Sequence, residues 1–249
     1  MYLKTQGLVL RVTNYNDTDA LLTVLSAEQG KLTLKARGLR RKNSSLTAAC
    51  QLLTYGEFTV FEYRGYNTIN EAHPVELFAG LRKDLFKLSL ATYFGQVCDV
   101  IAQEDQVNPQ LLSLTLNCLY ALDKLDISLP QIKAVFELRC ACFAGYMPNL
   151  NACYRCGDLT PDRFNISEGR LECSDCREPG AQAIRLPVSA GVLHAMRYIV
   201  SCEDKRIFAF QINESTATDL SNVTEAYLTR QLEQSFSTLD FYKSLHLLE

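Results

Sequence analysis

The sequence predicts an α+β protein. A small N-terminal five-stranded barrel should lead into an all-α domain interrupted by a four-cysteine zinc knuckle. Three observations predict it. Five short runs of strand-like alternation fall within residues 1–78. From Val75 onward the apolar residues recur at helical spacing instead. Then Cys153-x-x-Cys156 is followed, after sixteen residues, by Cys173-x-x-Cys176, the spacing of a structural zinc site. The expected boundaries are 1–78 for the barrel, 79–249 for the helical domain and 150–180 for the knuckle inserted in it.

The strands justify themselves in order. Leu3 to Asn14 carries Leu8, Leu10 and Val12 on one face, and Asn14-Tyr15-Asn16-Asp17 is a turn cluster. Ala20 to Ser26 is a more buried strand, and Glu28-Gln29-Gly30 a short hairpin connection. In Lys31 to Ala36, Leu32, Leu34 and Ala36 point one way and Lys31, Thr33 and Lys35 the other. A fourth strand runs from Leu53 to Tyr63 and a fifth from Thr68 to His73, where Pro74 should stop the sheet. Five strands in so short a length suit an OB-fold. An SH3-like barrel has the same count, and strand number does not separate the two.

Charge is uneven along the chain. The whole protein carries 25 Lys and Arg against 28 Asp and Glu, a net −3. Residues 29–56 contain no acid but six bases: Lys31, Lys35, Arg37, Arg40, Arg41 and Lys42. The third strand therefore has a basic outer face that runs into a polar, basic arm over 38–47, expected to be mobile. Tyr15, Tyr55, Phe58, Phe61, Tyr63 and Tyr66 are interleaved nearby. Cations with aromatic platforms suit single-stranded nucleic acid, because phosphates attract cations and every base offers a face to stack on. A solvated loop beside ordinary barrel core is the alternative reading.

The helical text begins with Leu77, Leu81, Leu85 and Leu88, and continues with Leu90, Phe94, Val97 and Ile101. Two stripes imply a helix packed on more than one side. Asn108-Pro109 is an N-cap followed by a first-turn proline; that helix should reach Lys124 with Leu112, Leu116 and Leu119 inward. Ser128 opens the next, with Ile132, Val135, Phe136, Cys140 and Phe143 as its apolar face, and Gly145 and Pro148 end it. Arg139 reads either as a snorkelling surface residue or as a cation lining a partner groove. Within the knuckle, Arg163 to Ile166 and Arg170 to Cys173 should form a hairpin around Ser167-Glu168-Gly169. Ser189 should cap a helix to Ser201, with Val192, Met196, Ile199 and also His194 on one face; Ser215 to Phe236 is the last expected helix, with Leu220, Val223 and Tyr227 inward.

Two Cys-x-x-Cys turns aim four thiolates at one point, which suits tetrahedral zinc and leaves no open coordination position. Disulfides or spare thiols are the alternative; a redox pair would leave the second matched pair a coincidence. The other six cysteines sit mostly in apolar runs, as buried free cysteine does. With no leader pattern after Tyr2 and no apolar run of about 20 residues, a soluble cytoplasmic protein is expected. There is no phosphate-binding Gly-x-x-x-x-Gly-Lys-Ser/Thr and no His-Glu-x-x-His, and the three histidines (His73, His194 and His246) are scattered. A non-enzymatic role is expected, with no catalytic residue and no organic cofactor.

Several stretches together resemble a known family. They are Gly7-Leu8-Val9-Leu10-Arg11, Asp17-Thr18-Asp19 with Gly30-Lys31, and Arg37-Gly38-Leu39-Arg40-Arg41. The most specific is Phe136-Glu137-Leu138-Arg139, then Gly145-Tyr146-Met147-Pro148-Asn149-Leu150, then Cys153-x-x-Cys156-Gly157. In this order they are similar to the RecO family of bacterial DNA repair and recombination mediators, over essentially the whole chain. The resemblance implies an OB-fold, a helical domain and an inserted zinc knuckle. It implies binding of single- and double-stranded DNA, annealing of complementary strands, and, with RecR, loading of the RecA recombinase onto DNA coated by single-stranded-DNA-binding protein (SSB). A nucleoid-associated location follows from that role. Lys31, Lys35, Arg37, Arg40, Arg41 and Lys42 would be the DNA surface, and Cys153, Cys156, Cys173 and Cys176 the ligands of one structural zinc. The SSB C-terminal tail would fall on the helical domain, with Lys133 and Arg139 as groove cations. The low overall charge departs from a strongly basic DNA binder, so affinity is expected to depend on RecR or on low salt.

Overall fold

The computed structural model describes residues 2–104, 106–176, 183–245 and 247 of the chain. It divides into two compact units, Met1–Leu125 with Phe236–Glu249, and Asp126–Ser235.

The first unit is built on strands β1 (Tyr2–Asn14), β2 (Ala20–Ser26), β3 (Gly30–Ala36), β4 (Tyr55–Tyr63) and β5 (Tyr66–Glu76). They close into a barrel in the order β1-β2-β3-β5-β4, with β4 pairing back onto β1. All pairings are antiparallel except β3 with β5, which meet in parallel at Leu34↔Asn67 and Lys35↔Thr68. Five strands in this order, closed by one parallel pair, form an OB-fold barrel. Strand count left an SH3-like barrel open; the β3–β5 pairing removes it.

The barrel core is Val9, Leu22, Val24, Leu34, Phe58, Val60 and Ile69, closed at one end by Leu46, Ala49 and Cys50. The arm over 38–47 folds in turns against the barrel, with Leu46 buried and Leu39 packed on the core. Leu8 and Leu10, although buried, are not members of that core cluster. Helix α1 (Leu85–Ile101) packs beside β1, with Gly95 facing the Leu10 carbonyl oxygen.

Several strand limits differ from expectation, two of them for a clear physical reason. The fourth strand begins at Tyr55, because Leu53 adopts a left-handed conformation (φ 62°). The fifth continues through Pro74 to Glu76. Proline is tolerated there because β3 pairs with β5 only at Asn67 and Thr68, so Pro74 has no ladder partner on that side to lose. The helical period does not start at Val75 either. The strand is followed by a 3-10 turn, Ala79–Lys83, and α1 opens only at Leu85, where Asp84 caps the amides of Phe86 and Lys87. Helix α2 (Pro109–Lys124) is capped by Asn108 as expected, although Leu116 is only half-buried.

The second unit is centred on α3 (Leu129–Phe143). Ser128 occupies its N-cap position, but the hydroxyl makes no cap bond. Every residue from Gln131 to Ala141 is buried, so the helix has no single apolar face; it is enclosed on all sides. Strands β6 (Asn149–Cys153), β7 (Arg163–Asn165), β8 (Arg170–Glu172) and β9 (Arg185–Pro187) form a small sheet in the order β6-β8-β7-β9. Helix α4 (Ala190–Ser201) is capped by Ser189; Val192, Met196 and Ile199 are buried, but His194 lies on the exposed side. Helix α5 (Glu214–Leu232) is capped by Asn213 and ends at Glu233, which takes a left-handed conformation (φ 51°). It is not the last helix. The chain turns there into α6 (Ser237–Leu245), whose Leu239, Tyr242 and Leu245 are buried within the first unit.

Candidate nucleic-acid interface and metal centre

An open groove of about 830 Å³ crosses the barrel's outer face between Tyr15 and the β4–β5 turn. Lys35 and Arg37 line one side, Tyr2, Phe61, Tyr63 and Tyr66 the other, with Tyr15 beside the cations. The strand register explains the division. Leu21 pairs with Lys35, Lys35 with Thr68, Thr68 with Phe61, and Phe61 with Tyr2. One transverse row of side chains thus passes from cation to polar to aromatic.

The cationic side is held by Asp19. Its carboxylate accepts from the Gly38 amide at 2.9 Å and the Asn16 side-chain amide at 3.1 Å, and lies 3.3 Å from the Lys35 ammonium. The Gly38 amide foremost, then Asn16, hold this carboxyl well below the usual carboxylate range. The Arg40 amide donates to the Thr18 carbonyl and its guanidinium to the Asn16 carbonyl, at 3.0 and 2.7 Å. Lys35 also sits 4.6 Å above the Tyr15 ring. Arg37, Arg40, Arg41 and Lys42 are exposed.

Lys31 is placed differently from the other five. Its ammonium donates to the Asp99 carbonyl at 2.8 Å and faces the Asp99 carboxylate at 3.5 Å, where Arg11 also approaches. It ties β3 to α1 and is not among the described groove residues. Two aromatics of the six also lie elsewhere. Phe58 fills the barrel core, and the Tyr55 hydroxyl donates to Gln6. Sequence reasoning missed Tyr2, whose only signal was its pairing partner Phe61, and Arg64, whose guanidinium lies 5.1 Å from the Tyr63 ring.

In the second unit the four cysteines converge. The Sγ atoms of Cys153, Cys156, Cys173 and Cys176 all lie within 4.8 Å of one another, and Cys156 and Cys173 are 3.7 Å apart. Tetrahedral sulfur at about 2.3 Å from a metal gives a ligand edge near 3.8 Å, so the thiols fit such an ion. Each pair closes a tight turn, Gly157 N–H to the Cys153 carbonyl and Cys176 N–H to the Cys173 carbonyl. Burial alone would raise the Cys153 thiol, but the amides of Cys156, Arg155 and Cys173 bring it down to about 6. Next to the ligands, Glu172 is buried and accepts from Asn165 at 2.8 Å and from Arg185. Arg170 stacks 3.4 Å over Tyr154. Arg177 and Glu178, which follow the second cysteine pair, lie outside the described residues.

Lys133 and Arg139 are both internal. The Lys133 side chain is 3% exposed and its ammonium sits 2.9 Å from each of Glu137 and Glu225. Arg139 pairs with Asp204 and donates to the Cys202 carbonyl. His73 is exposed on β5 and His194 on α4; His246 lies outside the described residues. No described helix is long and apolar enough to cross a membrane.

An OB-fold barrel with a cationic and aromatic groove, followed by a helical domain carrying a four-thiol knuckle, defines the class of protein. The family follows from comparison. Models of the N-terminal and C-terminal parts of recombination protein O match residues 1–78 and 82–240. The DNA repair protein RecO of Acetivibrio thermocellus is 35% identical over 246 residues, covering 98% of this chain and 97% of that protein. That of Alkaliphilus metalliredigens is 30% identical over 248 residues, covering 98% of this chain and all of its own length. That of Listeria monocytogenes is 29% identical over 247 residues, covering 98% of this chain and 91% of its own. The chain belongs to the RecO family of DNA repair proteins.

Proposed function

We propose that the protein is a non-enzymatic recombination mediator that binds DNA through the barrel groove and arm. It anneals complementary single strands and, with RecR, helps load RecA onto SSB-coated DNA. The groove carries this reading: Lys35 and Arg37 face exposed aromatic rings across an OB-fold surface, with Arg40, Arg41 and Lys42 on the adjoining arm. Annealing needs no nucleotide hydrolysis, since the cations screen phosphate repulsion and base pairing supplies the driving force. Lys31 acts by holding the barrel against α1, and its contribution to DNA affinity is indirect. The metal of the four-thiol site is zinc, one per chain, and its role is structural because four sulfurs fill its coordination. The SSB tail docks on the helical domain. Lys133 and Arg139 contribute only if their internal partners are displaced. These activities place the protein in the bacterial cytoplasm, on the nucleoid.

A salt titration of single-stranded-DNA binding tests the reading, with and without the SSB C-terminal peptide. Affinity should fall steeply with salt, and each phosphate contact removed by Ala at Lys35, Arg37, Arg40 or Arg41 should flatten the log–log slope by about 0.7. Unchanged annealing in the fourfold variant defeats the placement. No DNA binding even at low salt favours a zinc-stapled protein-interaction adaptor instead.

A further inference from the structure

The groove's far wall has a feature that cations do not explain. Tyr2, Phe61 and Tyr63 form a continuous aromatic strip along the β1–β4 edge. The Tyr2 and Phe61 ring centroids are 5.2 Å apart, and Phe61 and Tyr63 lie 6.5 Å apart with planes only 8° from parallel. All three are open to solvent, at 64%, 40% and 57% exposure, and Tyr66 beyond them at 78%. Alternation along β4 puts Phe58 and Val60 into the core and Thr59, Phe61 and Tyr63 outside. The rings therefore add nothing to the barrel interior. Large apolar side chains left together on a surface mark a place that something covers.

We propose that this strip is a base-stacking ledge for unpaired nucleotides, with the phosphates of the same strand carried by Lys35 and Arg37 across the groove. The proposal rests on the DNA-binding reading above and adds which residues read the bases. Three observations favour this occupant over an apolar peptide. The opposite wall is cationic, and among the described lining residues none is acidic. The acidic Asp19 is outside that lining, 3.3 Å from the Lys35 ammonium, which it holds in place. Arg64 over the Tyr63 ring adds a cation at the ledge itself. The register row runs from Lys35 to Phe61 across two strand spacings, about 10 Å, so a backbone on one wall can turn its bases toward the other. A duplex keeps its bases stacked inside and cannot present their faces to the rings, so the ledge selects single strands.

The test compares binding of the full chain to an oligothymidine and to an abasic oligonucleotide of equal length, by fluorescence anisotropy at fixed salt. The abasic strand keeps every phosphate and loses every base. The wild-type protein should bind the thymidine strand at least about tenfold more tightly. Phe61→Ala and Tyr63→Ala should each pull that ratio toward one and leave the salt slope unchanged, while Tyr63→Phe keeps it. Equal, salt-dependent affinity for both strands overturns the ledge and leaves the DNA-binding reading standing. A wild-type preference that survives both alanine variants also overturns it, because the bases are then read elsewhere. Absence of binding to either strand at low salt overturns the DNA-binding reading itself. The first comparison needs no variant, so it stands even where a substitution disturbs folding.

Discussion

Asp19 shows how one acidic side chain organises a basic surface. It collects Gly38, Asn16 and Lys35 around one carboxylate, and so fixes both the turn before β2 and the start of the arm. Simple Coulomb reasoning says that Asp19→Asn should tighten DNA binding by removing a negative charge. Positioning predicts the reverse, a loss of affinity together with faster hydrogen exchange at the Gly38 and Arg40 amides. Its carboxyl is held below its ordinary value of 3.8 in the folded state. The stabilisation is therefore complete above that value and disappears as the pH falls through the folded one. Thermal melts should show a gap between wild type and Asp19→Asn at neutral pH that narrows below about pH 3. Lys133 makes a second residue-scale case. Lys133→Met leaves Glu137 and Glu225 without their shared ammonium, and denaturant unfolding should register a loss of about 3–5 kcal/mol. Burial already holds Glu137 above the usual carboxylate range, with Lys133 acting against that shift. The charged triad of Lys133, Glu137 and Glu225 is thus an internal feature that local sequence pattern did not mark.

At the scale of elements, the knuckle has little apolar core of its own. Phe164 and Leu171 are buried, with Phe164 edge-on to Tyr227 of α5 at 5.0 Å. The β7–β8 turn approaches the same tyrosine. Gly169 has φ +62°, and a Cβ there would stand 2.6 Å from the Tyr227 hydroxyl. Gly169→Ala should therefore lower the melting temperature through both strain and clash, whereas Gly65→Ala meets no neighbour and carries only the strain of its own positive φ. Metal removal acts on the same element. Chelation or Cys173→Ser should reduce bound metal from about one per chain toward none, read by elemental analysis, and should raise hydrogen exchange across β6–β9. The cysteine spacing made this site legible in the sequence, because two tight turns are local objects. The ladder that presents the turns was less legible. Strands β6 and β9 have three to five residues and no periodicity long enough to announce them.

At the scale of the molecule, the chain leaves the barrel unit after Leu125 and returns to it at Phe236. Phe236 is buried against Tyr93 of α1 at 5.5 Å, and the Thr238 amide and hydroxyl both donate to Gln96. The barrel unit is thus completed by the last helix. Phe236→Ala should destabilise it by about 3–5 kcal/mol. Truncation at Ser235 should lower single-stranded-DNA affinity even though no groove residue is removed. Either effect, read by unfolding and binding on one sample, ties the C-terminal helix to the N-terminal surface.

The sequence by itself determined the elements whose signal is local. Those are the alternation of the five strands, the caps at Asn108 and Ser189, the basic run from Lys31 to Lys42 and the paired cysteines. Tertiary structure decided what depends on partners distant in the chain. The parallel meeting of β3 with β5 makes the barrel an OB-fold, and no local pattern encodes which strands will meet. The same register sets Lys35 opposite Phe61 and Tyr2, yet draws Lys31 away to Asp99. Two lysines four residues apart on one strand face carry the same charge and the same local signal. Only the groups that the fold brings to each give them different work.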